Sequence, residues 1–136
     1  MVEKSVTLQR QQADHDKADL VSKLVGKKRR TKKVTLELDG DQIELEFGAI
    51  SSKKIDELYS ANQPTAEQRI KGMAFNPETF NPALVSACAI EPKISEEDAT
   101  EIFTSENWST GELSFLVEIC SDLCLQGLTA PFSAKG

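Results

Sequence analysis

VTLELDGDQIELEF, residues 34–47, decides how this chain folds. Val34, Leu36 and Leu38 alternate with Thr35 and Glu37; Ile43, Leu45 and Phe47 alternate with Gln42, Glu44 and Glu46. Successive side chains of a strand point to opposite faces, so each run has one apolar and one polar side. Asp39-Gly40 stands between the runs and tolerates the positive φ values of a type I′ turn. A two-residue turn sets the register. Leu36 then faces Ile43 and Val34 faces Leu45 on one side, while Lys33 faces Glu46 on the other. The pattern predicts an antiparallel hairpin. A lone hairpin is marginal in water, so its apolar face needs a cover.

That cover is predicted to be helical, because the period changes after Gly48. Ser51-Ser52 caps a helix carrying Ile55, Leu58 and Tyr59, and Asn62-Gln63-Pro64 ends it. Thr65 and Gln68 stand at capping-box spacing before a short helix that Gly72 limits. Pro82 opens a helix over residues 83–90 that is apolar nearly all round, the mark of a central, buried element. Ser95 precedes Glu96, Glu97 and Asp98, acids that suit the first turn of a helix bearing Ile102 and Phe103. Ser109 and Glu112 form another capping box after Trp108. In the helix that follows, Leu113, Leu116, Val117, Cys120 and Cys124 line one face, and Phe115, Ile119 and Leu123 line a second. The fold class expected is α+β, mainly helical, with an N-terminal β-hairpin packed on a small helical bundle.

Around this core, three segments are expected: a polar and basic arm at 1–33, partly helical over about 5–25; the hairpin and helices at 34–125; and a flexible tail at 126–136. The run Lys27-Lys28-Arg29-Arg30-Thr31-Lys32-Lys33 has two readings. One is a solvated linker ahead of the strand. The other is the arm of a small nucleic-acid-binding regulator. No aromatic residue interrupts the run to stack on bases, and the whole chain carries a net charge of −6, a poor balance for a polyanion ligand. Nucleic acid is therefore not the expected partner.

Several function classes are hard to build from these residues. The chain has 136 residues, no run of 18 apolar ones and no apolar stretch near Met1, so neither a membrane span nor a secretory leader is expected. Its one histidine, His15, lies between Asp14 and Asp16. Cys88, Cys120 and Cys124 are odd in number, lack a C-x-x-C spacing and have apolar neighbours, which fits reduced thiols used as small hydrophobes. The acids at 96–98 lack the alternation, central Gly and final Glu of a calcium loop. Glycine-rich phosphate loops are absent as well. The expectation is a non-enzymatic protein-binding module with no cofactor and no metal.

Three stretches resemble a known family. VTLELDGDQIELEFGAIS with SSKKIDELYSANQPTAEQ, then NPETFNPALVSACAIEPKISEEDATEIF, then Trp108-Ser109-Thr110-Gly111-Glu112-Leu113 resemble, in that order, the tail assembly chaperones of siphophages and prophages, notably of actinobacterial phages. The resemblance covers about residues 34–125; the basic run at 27–33 departs from it. It implies a chaperone that binds the long helical tape measure protein, keeps it soluble and helps recruit tail tube subunits. It also implies action in the host cytoplasm and absence from the mature virion. Self-association and a longer frameshifted product, with Gly136 ending the short form, are further expectations of this kind.

A receptor for an amphipathic helical client needs large apolar side chains flanked by acids. Phe115, Ile119 and Leu123 recur every four residues along the last helix, and Glu112, Glu118 and Asp122 border them. This ridge either binds the client or packs on the apolar face of the hairpin.

Overall fold

The computed structural model describes residues 16–127. His15, the first part of the expected N-terminal helix and residues 128–136 of the expected tail lie outside them. Residues 16–25 form α1, with every side chain exposed, including Leu20, Val21, Leu24 and Val25. Strands β1 (Thr31–Leu38) and β2 (Asp41–Gly48) follow, then α2 (Ser52–Ala61), α3 (Ala66–Ile70), α4 (Pro77–Cys88), β3 (Ala89–Glu91), α5 (Glu96–Thr104) and α6 (Thr110–Leu125). The fold is α+β and mainly helical, with the hairpin near its start. Among the described residues no helix is long and apolar enough to cross a membrane.

The hairpin has the register that its turn dictates. Leu36 pairs with Ile43, Val34 with Leu45 and Lys33 with Glu46. Asp39 and Gly40 have φ of 51° and 89°, the left-handed values of a type I′ turn. The charge contact of Lys33 runs diagonally, to Glu44 at 3.9 Å, with both side chains well exposed. Such a pair contributes little.

The N-caps fall on the residues that the sequence marks. Ser51, Thr65, Ser95 and Ser109 each accept a hydrogen bond from a backbone N–H three residues on. α4 differs from expectation at both ends. It begins at Pro77 rather than near Pro82, because Asn76 caps it and proline at the first helical position loses no hydrogen bond. Pro82 therefore lies inside the helix, and the carbonyl of exposed Glu78 is left without that donor. α4 ends at Cys88, and Ala89–Glu91 leave as β3 to pair antiparallel with the end of β2. The proline at 92 disfavours helix at Glu91, and the free edge of β2 supplies the hydrogen bonds instead. The sheet order is β1-β2-β3.

The core is built around α4. Val85 and Cys88 are fully buried, as is Cys120 of α6; Phe47 of β2, Leu58 of α2, and Leu116, Ile119 and Leu123 of α6 close around them. Each large apolar side chain buried here stabilises the fold by about 1.5–3 kcal/mol. Tyr59 stacks on Phe80 with centroids 4.6 Å apart, and Phe75 completes the trio, which fastens α2 to α4. α5 packs on α4 as well, and Ser86 Oγ donates to the Ile94 carbonyl at 2.8 Å in the connection between them.

The basic run is neither a wholly solvated linker nor a free arm. Arg29 Nε donates to the Ala49 carbonyl at 2.6 Å, and its second nitrogen donates to Gly48 at 3.0 Å and Ala87 at 3.4 Å. Arg30 donates to the carbonyls of Leu123 at 2.9 Å and Gln126 at 3.0 Å, at the end of α6. Those carbonyls have no partner within the helix, and a cation there also suits the helix dipole. Thr31, Lys32 and Lys33 are already strand. The folded unit thus begins at Arg29, not at Val34. Sequence spacing could not show this, because the acceptors lie 19 to 96 residues away.

Gly48 is buried because Arg29 crosses it. A Cβ on Gly48 would stand 2.5 Å from Arg29 Nε and 2.7 Å from Ile90 Cδ1. Arg29→Ala is expected to lower stability by about 2 kcal/mol through the lost charge-assisted hydrogen bonds. Gly48→Ala is expected to destabilise by displacing the guanidinium, and much less so when Arg29 is already Ala. Urea melts of the two single variants and the double variant measure that coupling.

Candidate protein-binding groove

α6 is held at its start by a complete capping box. Ser109 Oγ accepts from the Glu112 N–H at 3.1 Å, and Glu112 Oε1 accepts from the Ser109 N–H at 2.8 Å. The Ser109 N–H, and then the Ser109 hydroxyl, hold the Glu112 carboxyl below its ordinary range. From there the helix runs across the apolar face of the sheet, with Leu116, Ile119, Cys120 and Leu123 buried and Leu113, Val117 and Cys124 half-buried.

The expected ridge is divided by this packing. Ile119 and Leu123 are core residues, 5% and 7% exposed, and so are not open to a client. Their side of the helix covers the hairpin, the second of the two readings above. Phe115, one turn earlier, is 45% exposed. It stands at the margin of the buried sector, beside Leu36 and Leu38 of β1.

There the structure forms a groove of about 370 Å³ lined by Leu36 and Leu38 of β1, Trp108, and Phe115 and Leu116 of α6. Glu37 and Glu112 stand on its rim. Ile43, on the strand facing Leu36, is 37% exposed close by. Of the six residues expected at the binding site, Phe115 and Glu112 meet here. Glu118 lies on another flank of α6, beside Asn81, Phe103, Leu113 and Val117. Asp122 lies near the end of α6, beside Arg30, Thr31 and Lys32. The six therefore do not form one surface. Leu36, Leu38 and Trp108 were visible in the sequence as apolar residues, but alternation assigns the strand residues to the core and cannot show where the covering helix stops.

Cys88 and Cys124 bring their sulfurs to 3.7 Å, and all three cysteines are free. The hydrogen bond with Cys120 and then burial push the Cys88 thiol well above its ordinary value; burial also raises the Cys124 thiol. Thiols so placed are poor nucleophiles. Among the described residues no group of three or more His, Cys, Asp or Glu is placed to hold a metal ion. A basic depression of about 600 Å³ lies between Lys27, Lys28, Ser51 and Lys54, but Arg29 and Arg30 at its wall are committed to backbone carbonyls.

Comparisons with protein-family models, curated proteins and solved structures find no match.

Phe115→Asp is expected to leave the melting temperature within a few degrees of the parent. Ile119→Asp, which buries a carboxylate without a partner, is expected to abolish cooperative folding. Thermal melts followed by circular dichroism distinguish them. The depressed Glu112 carboxyl stabilises the fold above the unfolded carboxylate's titration range, and this contribution is lost as pH falls through the folded value. Glu112→Gln is therefore expected to reduce the loss of melting temperature between neutral and acid pH.

Proposed function

We propose that this chain is a non-enzymatic chaperone of siphophage tail assembly. It binds the tape measure protein, keeps that long helical client soluble in the host cytoplasm and helps recruit tail tube subunits, without remaining in the mature virion. The observation that supports this reading is the groove between the hairpin turn and the start of α6, apolar on its floor and acidic on its rim. A long helical client exposes apolar stripes before the tube closes around it, and such stripes need temporary cover. Leu36, Leu38, Trp108 and Phe115 offer that cover to one face of an amphipathic helix. Glu112 is positioned for a lysine along the flank of that helix. The order of sequence stretches resembling tail assembly chaperones supports the same client.

The test is co-expression with a siphophage tape measure protein. The parent is expected to keep the client in the soluble fraction and co-purify with it. Phe115→Asp is expected to stay folded and lose at least tenfold in affinity. A folded Phe115→Asp variant that retains full binding would remove the groove from the proposal.

A further inference from the structure

We propose that the outer edge of β1 pairs with the same edge of a second copy, giving a two-fold dimer with a continuous six-stranded sheet. The proposal does not depend on the client reading. β1 is the terminal strand of the sheet, and among the described residues no strand lies beyond it. α1, exposed along its whole length, does not cover it.

The direction of its free hydrogen-bonding groups follows from the ladder. The Ala49 N–H donates to the Arg30 carbonyl at 2.8 Å, in the same register as the hairpin. Hydrogen-bonded pairs recur at every second residue of an antiparallel ladder. Lys32, Val34, Leu36 and Leu38 therefore turn their backbone groups toward β2. Thr31, Lys33, Thr35 and Glu37 turn theirs outward, and the side chains of all four are exposed. A second β1 running antiparallel must bond through the same four residues.

Charge selects among the symmetric registers. Centred on Thr35, the pairing sets Lys33 opposite Glu37 of the second copy, and by symmetry does so twice. Val34 then faces Leu36 on the apolar side, so the two apolar faces join. Centred on Lys33 or on Glu37, the pairing sets like charges against each other. Centred on Val34, both charged residues face threonines; centred on Leu36, the overlap shortens. Lysines on an edge strand ordinarily discourage pairing. Here each lysine has an acid at the matching position of an identical strand. Opposite charges placed across strands stabilise the pair, and like charges destabilise it by a similar amount.

Sedimentation equilibrium of the full chain tests the proposal. The parent is expected to reach twice the 15.0 kDa chain mass, and to dissociate as salt rises. Lys33→Glu and Glu37→Lys alone are each expected to weaken association about tenfold or more, since both symmetric pairs become repulsive. The double variant is expected to recover it. Thr35→Pro removes an outward N–H while leaving the bonds to β2, and is expected to give a folded monomer. A parent that stays monomeric at every concentration overturns the proposal, as does a folded Thr35→Pro variant that still dimerises. A double variant that remains as weak as the single ones overturns this register. Client binding by Phe115→Asp reads the groove separately, since that residue is not in the strand.

Discussion

α4 carries Phe80, Ala83, Leu84, Val85 and Cys88 in buried positions, and a helix so apolar is stable in water only when other elements cover it on several sides. α2, α5 and α6 all pack against it, and β3 carries its end into the sheet. The alternating hairpin cannot persist alone and has the complementary need. One cover meets both: α6 lies between α4 and the sheet, with Leu116, Ile119, Cys120 and Leu123 filling the space. The position of every exposed feature follows from where that cover ends.

The two arginines fix the geometry that burial leaves loose. Dispersion and hydrophobic burial are non-directional and tolerate sliding of one layer over another. Arg29 fixes the β2 exit relative to the end of α4, and Arg30 fixes the β1 entry relative to the end of α6. Both act on backbone carbonyls at or near the ends of elements. The absence of a side chain at Gly48 lets Arg29 lie flat against the backbone. A sequence that reads as a charged linker thus supplies specific tertiary contacts.

The groove and the strand edge adjoin. The start of α6 lies beside Leu36 and Leu38 of β1, the terminal strand of the sheet. Phe115 and Trp108 meet part of its apolar surface there, and among the described residues no strand pairs with its outer edge. The proposed chaperone role would require apolar surface that stays soluble when empty, and Glu112 beside that surface would favour this.

Local chemistry made much of the fold legible in the sequence. The alternation at 34–38 and 43–47 with Asp39-Gly40 between determined the hairpin and its register, because turn length and side-chain period leave one solution. Ser51, Thr65, Ser95 and Ser109 determined where four helices begin, because an orphan N–H needs a nearby oxygen. The near-uniform apolarity around Leu84 and Val85 determined which helix is central. Tertiary structure alone decided that Ala89–Glu91 form a strand, that Arg29 and Arg30 belong to the folded unit, and that Ile119 and Leu123 are core while Phe115 is surface. Each of these depends on partners remote in the chain. Helical spacing showed that Phe115, Ile119 and Leu123 share a line along α6, but only the width of the sheet beneath them determined how far along that line burial extends.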